Sequence, residues 1–216
     1  MGNLIHFFQA GGFVMWPLLA LSIAAVAVIV ERLLAYRTIG DRAPGLLQES
    51  LSAVQGGRAE TTLQAAQGRP GALAACLRAV LENRHLPTET IERVVQETGE
   101  EEFVKLERYL PILDTTTTIS PLLGLLGTLV GMIGTFRAIA AAKSSGANDT
   151  ILSGVGEALY ATATGISIAV VCFVAYNYFA ARQRAIVAET EMAATKLMNA
   201  IVLQEATVLR ERAVAV

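Results

Sequence analysis

Hydroxyl side chains recur inside the most apolar stretches of this chain. Thr115 to Phe136 contains no Asp, Glu, Lys or Arg, yet it carries Thr117, Thr128 and Thr135. At about 100° per residue, Thr117, Pro121, Gly124, Thr128, Gly131 and Thr135 share one helical face, and Asp114 joins them at one end. Ala158 to Ala181 is also free of charge and begins just after Glu157. Glu157, Ala161 and Thr164 share one face of that stretch. Thr162 shares another with Ala158, Gly165 and Ala169, roughly 140° from Glu157.

Two kinds of chemistry fit these residues. A hydroxyl donates one hydrogen bond and accepts others, so hydroxyls at one level can pass a proton or order water. Thr128 lies about 13 Å from Arg137 along a helix, and Thr162 lies roughly 10 Å from the start of its own stretch. On adjacent antiparallel helices these depths coincide. A carboxylate such as Glu157 is costly to leave in lipid and is a functional candidate by default. The other account is structural. Gly127 and Gly131 form a GxxxG, small residues let membrane helices approach closely, and threonines can bond back to their own helix. Composition alone favours packing for the Thr115 stretch. Glu157 reads equally as a surface group paired with Arg137 or Lys143.

The elements that must hold these residues are membrane-spanning helices. The chain has 216 residues, 53% of them hydrophobic and 17% charged. Met1 to Val30 is a third charge-free stretch. Roughly 20 apolar residues cross a bilayer as a helix, and each stretch suffices. The first span, about Phe13 to Val30, carries Trp16 and Pro17 near one end and reads as a lipid-facing anchor. No Lys or Arg precedes it, so it reads as a retained span and not a signal peptide.

Glu31 to Asp114 holds 23 of the 36 charged residues and belongs in water. Gly- and Pro-containing breaks at Arg42 to Gly45, Gln55 to Gly57 and Gly68 to Gly71 divide it into short helices. From Thr88 the pattern predicts one continuous helix to about Phe136, with Gly99 as a weak point. Ala180 to about Arg212 lacks Gly and Pro and predicts a third span that projects far out of the membrane. The expected architecture is all-α and integral to the membrane. It has three transmembrane helices, two of them long and extending into a helical cytoplasmic region.

Basic residues set the orientation. Arg32, Arg37, Arg42, Lys105, Arg108, Arg182 and Arg184 flank one side, against Arg137 and Lys143 on the other. The positive-inside rule then puts the N-terminus outside and the C-terminus in the cytoplasm. The expected division is as follows: 1–31 for the outside segment and first span, 32–113 for the cytoplasmic region and 114–137 for the second span. A periplasmic loop takes 138–154, the third span 155–181 and a cytoplasmic helix 182–216. A net charge of −2 argues against nucleic acid as a partner, and lipid is the expected surroundings. His6 and His85 are isolated, no nucleophile–base pair or metal-ligand spacing occurs, and Cys76 and Cys172 fall in different regions. Neither an enzyme, a metal nor a cofactor is expected.

The run from Ser120 to Ile133, followed by Phe136, and the run from Glu157 to Gly165, followed by Tyr176-Asn177, resemble the ExbB/TolQ/MotA family of bacterial inner-membrane proteins. The close match covers about Pro121 to Asn177; the rest agrees in architecture. Val171 departs from the pattern, which usually has a proline there. The Glu-Ala-Leu run and the short outer loop favour ExbB/TolQ over the four-span MotA. The resemblance implies a homo-oligomer, most simply a pentamer, around a dimer of a single-pass ExbD/TolR-like subunit that carries a membrane-embedded Asp. It implies a proton path at Thr128, Thr162 and Glu157. The pore-lining candidates are Asp114, Thr117, Gly124, Gly131, Thr135, Ala161 and Thr164. Proton flow would drive a periplasm-spanning protein of the TonB type, or a Tol partner serving envelope integrity. A structural scaffold whose stripes serve only packing is the reading from another class.

Overall fold

The computed structural model describes residues 12–40, 45–56, 68–141 and 147–214, together with Leu63 and Ala66. His6, the break at Arg42 to Pro44, Gly57 and Lys143 lie outside the described residues, and Arg137 has no described partner to settle its pairing. Among the described residues there are helices and turns and no strand. The helices are α1 (Met15–Gly40), α2 (Leu46–Gln55), α3 (Ala72–Glu82), α4 (Thr88–Glu107), α5 (Leu110–Ala141) and α6 (Ala147–Val214). Three of them are long and apolar enough to cross a membrane, within Met15–Arg37, Leu110–Ala140 and Gly154–Gln204. The chain is an all-α membrane protein with two long spanning helices. α6 runs unbroken through Val171 and on to Val214.

The continuous helix expected from Thr88 to Phe136 is interrupted. Arg108 leaves the helical region with φ −49° and ψ 131°, and Tyr109 takes a φ of 70°. Pro111 explains the break. It has no N–H to give to the carbonyl of Glu107, and in a continuous helix its ring would strike that carbonyl. α4 accordingly ends at Glu107, and Pro111 sits in the first turn of α5, where a missing N–H is harmless. Gly99, the suspected weak point, is helical and buried.

Two compact units form, Met1–Glu31 with Tyr109–Phe179, and Arg32–Arg108 with Ala180–Val216. In the first, the membrane unit, α5 and α6 pack along one seam and the start of α1 joins them. Val14, Met15 and Leu18 are buried there, with Leu123 and Ile168 packed against them. The rest of the α1 span leaves Trp16, Ile23, Val26 and Val30 exposed. Such apolar surface suits lipid, where burying it within the chain brings no hydrophobic gain.

The second, extramembrane unit is built as soluble proteins are. Leu46 and Val54 of α2, Leu77 and Leu81 of α3, Ile91 and Val95 of α4, and Leu197 and Ile201 of α6 form one core. Their spacing, eight residues in α2 and four in the other helices, puts one stripe of each helix inward. The open end of α4 is capped by side chains from α1. Arg32 is 5% exposed, and its Nη1 donates to the carbonyls of Lys105 at 3.2 Å and Leu106 at 3.0 Å. The hydroxyl of Tyr36 donates to the Leu106 carbonyl at 3.1 Å. These carbonyls have no partner further along the helix, and a cation there also answers the helix dipole.

Cys76 lies in this unit with its thiol directed to the carbonyl of Val95. Burial, then the negative charges of Glu102 and Glu191, push the thiol up to about 11. At pH 8 it should therefore carry about a hundredfold less thiolate than an ordinary cysteine. In a Cys172→Ser background, iodoacetamide labelling of the folded protein should be slower than that of the denatured chain by at least that factor. Equal rates would mean that the thiol is neither buried nor in a negative field.

Candidate functional site

The seam between α5 and α6 is where the predicted residues meet. Its geometry follows from missing side chains. A Cβ at Gly124 would stand 2.9 Å from the Cα of Thr162, and one at Gly127 would stand 2.5 Å from the Cβ of Ala161. At Gly131 it would meet the Cβ of Ala158 at 3.2 Å, and at Gly165 it would strike the carbonyl oxygen of Ser120. The pairs run 120 with 165, 124 with 162, 127 with 161 and 131 with 158, so the helices are antiparallel with a fixed register. Gly127 also receives α1, since its Cβ would lie 3.6 Å from that of Val14.

A hydrogen bond crosses the seam. The Thr162 hydroxyl donates to the Gly124 carbonyl at 2.9 Å. Thr162 stands opposite Gly124, and Thr128 lies one helical turn further along α5, about 6 Å away along the axis. Thr128 donates to the carbonyl of Leu125 at 2.7 Å and is half-exposed. Thr117, Thr135 and Thr164 donate to the carbonyls of Leu113, Gly131 and Tyr160, each four residues back. These hydroxyls have therefore placed their protons on backbone carbonyls. What they offer to anything outside the chain is an oxygen lone pair.

The remaining candidates divide by position. Gly124, Thr135 and Ala161 are buried within the seam, and Gly131 is partly covered by Ala158. Thr117, Thr128, Thr162 and Thr164 are partly exposed beside it. Asp114 is exposed in the second turn of α5. The backbone of Glu157 is helical, but its side chain lies outside those described. Among the described residues no three His, Cys, Asp or Glu side chains group closely enough to hold a metal ion.

Sequence reasoning missed Ser120. It is fully buried, and its hydroxyl has no hydrogen-bond partner. The buried face of α5 runs through Leu113, Thr116, Ser120, Gly124, Gly127 and Thr135. The threonine stripe is offset from it at Thr117, Pro121 and Thr128, so the stripe lies half on the seam and half beside it. The signal that could have placed the seam was the second GxxxG partner set on α6, Ala158, Ala161 and Gly165, whose small side chains recur at helical spacing. Leu122, Leu126 and Val130 of α5 and Ile166, Val170 and Phe173 of α6 point away and are exposed.

These features define a class: a multi-pass helical membrane protein with hydroxyls at the close crossing of two antiparallel spans. The sequence profile of the MotA/TolQ/ExbB proton channel family matches residues 69–192. The chain is 32% identical over 183 residues to the putative biopolymer transport protein ExbB-like 1 of Synechocystis sp., covering 84% of this chain and 72% of that protein. It is 32% identical over 177 residues to the biopolymer transport protein exbB1 of Vibrio cholerae, covering 79% and 76%. It is 36% identical over 99 residues to the Tol-Pal system protein TolQ of Pseudomonas aeruginosa, covering 46% and 42%. The chain belongs to the MotA/TolQ/ExbB proton channel family. It is accordingly a proton-channel subunit, multi-pass in the bacterial inner membrane.

The seam yields a contrast between glycines. Gly165→Ala puts a methyl against the backbone of Ser120, which cannot swing aside, and should cost about 1–3 kcal/mol. Gly134→Ala meets nothing within 4 Å and should be neutral or stabilise the helix by up to about 1 kcal/mol. Thermal unfolding of the detergent-solubilised protein distinguishes them. A Gly165→Ala protein as stable as wild type would disprove the close crossing.

Proposed function

We propose that this chain is the ring-forming subunit of an inner-membrane motor of the ExbB type, driven by proton flow. It assembles as a pentamer around an ExbD-like single-pass subunit and energises a TonB-like periplasm-spanning protein for outer-membrane transport. The observation that supports this reading is that Thr128 and Thr162, one helical turn apart on an antiparallel pair of helices, both keep lone pairs free to accept. A proton carrier on the partner, a carboxylic acid in its span, donates to such a lone pair without displacing any bond of this chain. As it takes that proton, the hydroxyl breaks its bond to the backbone carbonyl and releases its own proton to a water or the next carrier; the accepted proton then takes its place on the carbonyl. Glu157, at the start of the third span, exchanges that proton with the outside. Thr117 and Thr164 flank the path. Gly124, Gly131, Thr135 and Ala161 hold the two helices at the spacing that the path needs.

In this reading the basic residues around Arg32, Lys105 and Arg182 lie on the cytoplasmic side, with the C-terminus. The extramembrane unit is then cytoplasmic and the N-terminus periplasmic. Matches over 79–84% of the chain to two proteins named for ExbB support the ExbB role. The higher identity to TolQ within the shared segment supports a second reading, a subunit serving envelope integrity.

Thr128→Val and Thr162→Val should leave the oligomer intact while reducing proton flux at least tenfold in vesicles containing the partner subunit. Thr128→Ser should restore most of that flux, because serine keeps the hydroxyl. If valine variants conduct normally and only lower oligomer stability, the helices are a scaffold and the path lies elsewhere.

A further inference from the structure

The extramembrane unit contains a cavity of about 400 Å³ that plays no part in the proposed proton path. It opens between α4 and the 190–199 stretch of α6, with Cys76 of α3 among its lining. On α4, Thr88, Glu92, Gln96, Gly99 and Phe103 recur every three or four residues, so one face of that helix makes one wall. Gly99 keeps the wall low. A Cβ there would only just reach the Phe103 ring at 3.4 Å and the Cys76 sulfur at 3.6 Å, and any longer side chain would fill the space. Val95, Phe103, Ala194 and Met198 supply apolar surface.

The polar groups are of one electrical sign. Glu92, Glu100 and Glu191 stand exposed at the rim. Glu100 is steadied by Gln96, whose Nε2 donates to its Oε1 at 3.1 Å. Among the described residues no Lys, Arg or His lines the cavity. Arg93 and Lys196, on the same helices, are exposed and not part of it. Burial first, then Glu102 and Glu191, raise the Cys76 thiol, and of those two carboxylates Glu191 lines the cavity. Thr190 belongs to the α6 wall, is only 2% exposed, and its hydroxyl has no hydrogen-bond partner. Buried hydroxyls are almost always satisfied, and an orphan beside a cavity points to a missing occupant.

We propose that this cavity binds a small organic cation, an ammonium group carried on an apolar body of fragment size. The apolar part rests on Val95, Phe103, Ala194 and Met198. The ammonium donates to the carboxylates of Glu92 and Glu191 and to the oxygen of Thr190. Ligand pockets commonly measure roughly 300–1,000 Å³, so this one suits a ligand at the small end. Binding clamps α4 onto α6 within the extramembrane unit.

The test uses the full-length protein in detergent and three matched probes, 2-phenylethylammonium, 2-phenylethanol and phenylacetate, followed by ligand-observed NMR. The ammonium should bind at least tenfold more tightly than the alcohol, and the carboxylate should not bind. Glu92→Gln with Glu191→Gln, both at exposed positions that leave the core intact, should weaken the ammonium at least fivefold. Gly99→Val should abolish its binding. Three results would overturn the assignment: equal affinity for ammonium and alcohol, ammonium binding unchanged in the double glutamine variant, or no binding of the ammonium at about 10 mM, the range expected for so small a ligand.

Discussion

Two helices in hydrocarbon gain nothing from hiding apolar side chains, because the lipid is as apolar as they are. They hold together only through contact and through hydrogen bonds that water cannot replace. The α5–α6 crossing meets both conditions at one place. Gly124 and Gly165 let the backbones touch, and the Thr162 hydroxyl reaches across to the Gly124 carbonyl. The register of the membrane unit follows from that crossing. Ala161 can lie on Gly127 only when Thr162 lies on Gly124, and Val14, just ahead of α1, rests in ordinary contact beside Gly127.

The same constraint settles how hydroxyls can be tolerated there. A threonine in lipid must satisfy its proton, and the nearest acceptor is its own helix. Thr128, Thr135 and Thr164 take that route, while Thr162 uses the neighbouring helix. Once the proton is placed, the oxygen can accept at little cost when a donor arrives. Packing and proton transfer are therefore compatible uses of one residue. Thr162 both holds the crossing and presents an acceptor, so the two accounts left open by composition overlap there. They separate at Thr128, whose hydrogen bond stays within α5 and adds nothing to the crossing.

Much of this was legible in the sequence because lipid leaves a strong mark. Charge-free windows located the three spans, and the Gly- and Pro-free run after Ala180 announced the long α6. The face of Thr162 with Ala158, Gly165 and Ala169 is the face that α6 turns to α5. Ala161 was less legible. A helical wheel groups it with Glu157 and Thr164, and only the position of Gly127 on the partner helix reveals it as a contact. Ser120 was hidden for the same reason, since rotation of α5 about its axis depends on the neighbour. Pro111 is a different case. The break at Tyr109 was readable from the proline alone, but the apolar run around it masked the signal. The cavity in the extramembrane unit left no trace, because its walls come from helices about a hundred residues apart.

Glycine shows how the solvent changes the meaning of a residue. In the membrane unit Gly124, Gly127 and Gly165 are needed because another backbone or side chain occupies the place of a Cβ. Gly99 is in a helix whose unit folds in water around Leu77, Leu81 and Leu197. An alanine there would meet only ordinary contacts at 3.4 Å and beyond, and would favour the helix by about 1 kcal/mol. Close packing therefore does not account for Gly99. A methyl there would rest in ordinary contact against the Phe103 ring and the Cys76 sulfur, and only a longer side chain would reach into the cavity. A core otherwise filled by leucine and valine gives up helix stability at one position, beside a buried hydroxyl without a partner. Both lie at one cavity, and an occupant with a donor to offer Thr190 would satisfy its orphaned hydroxyl.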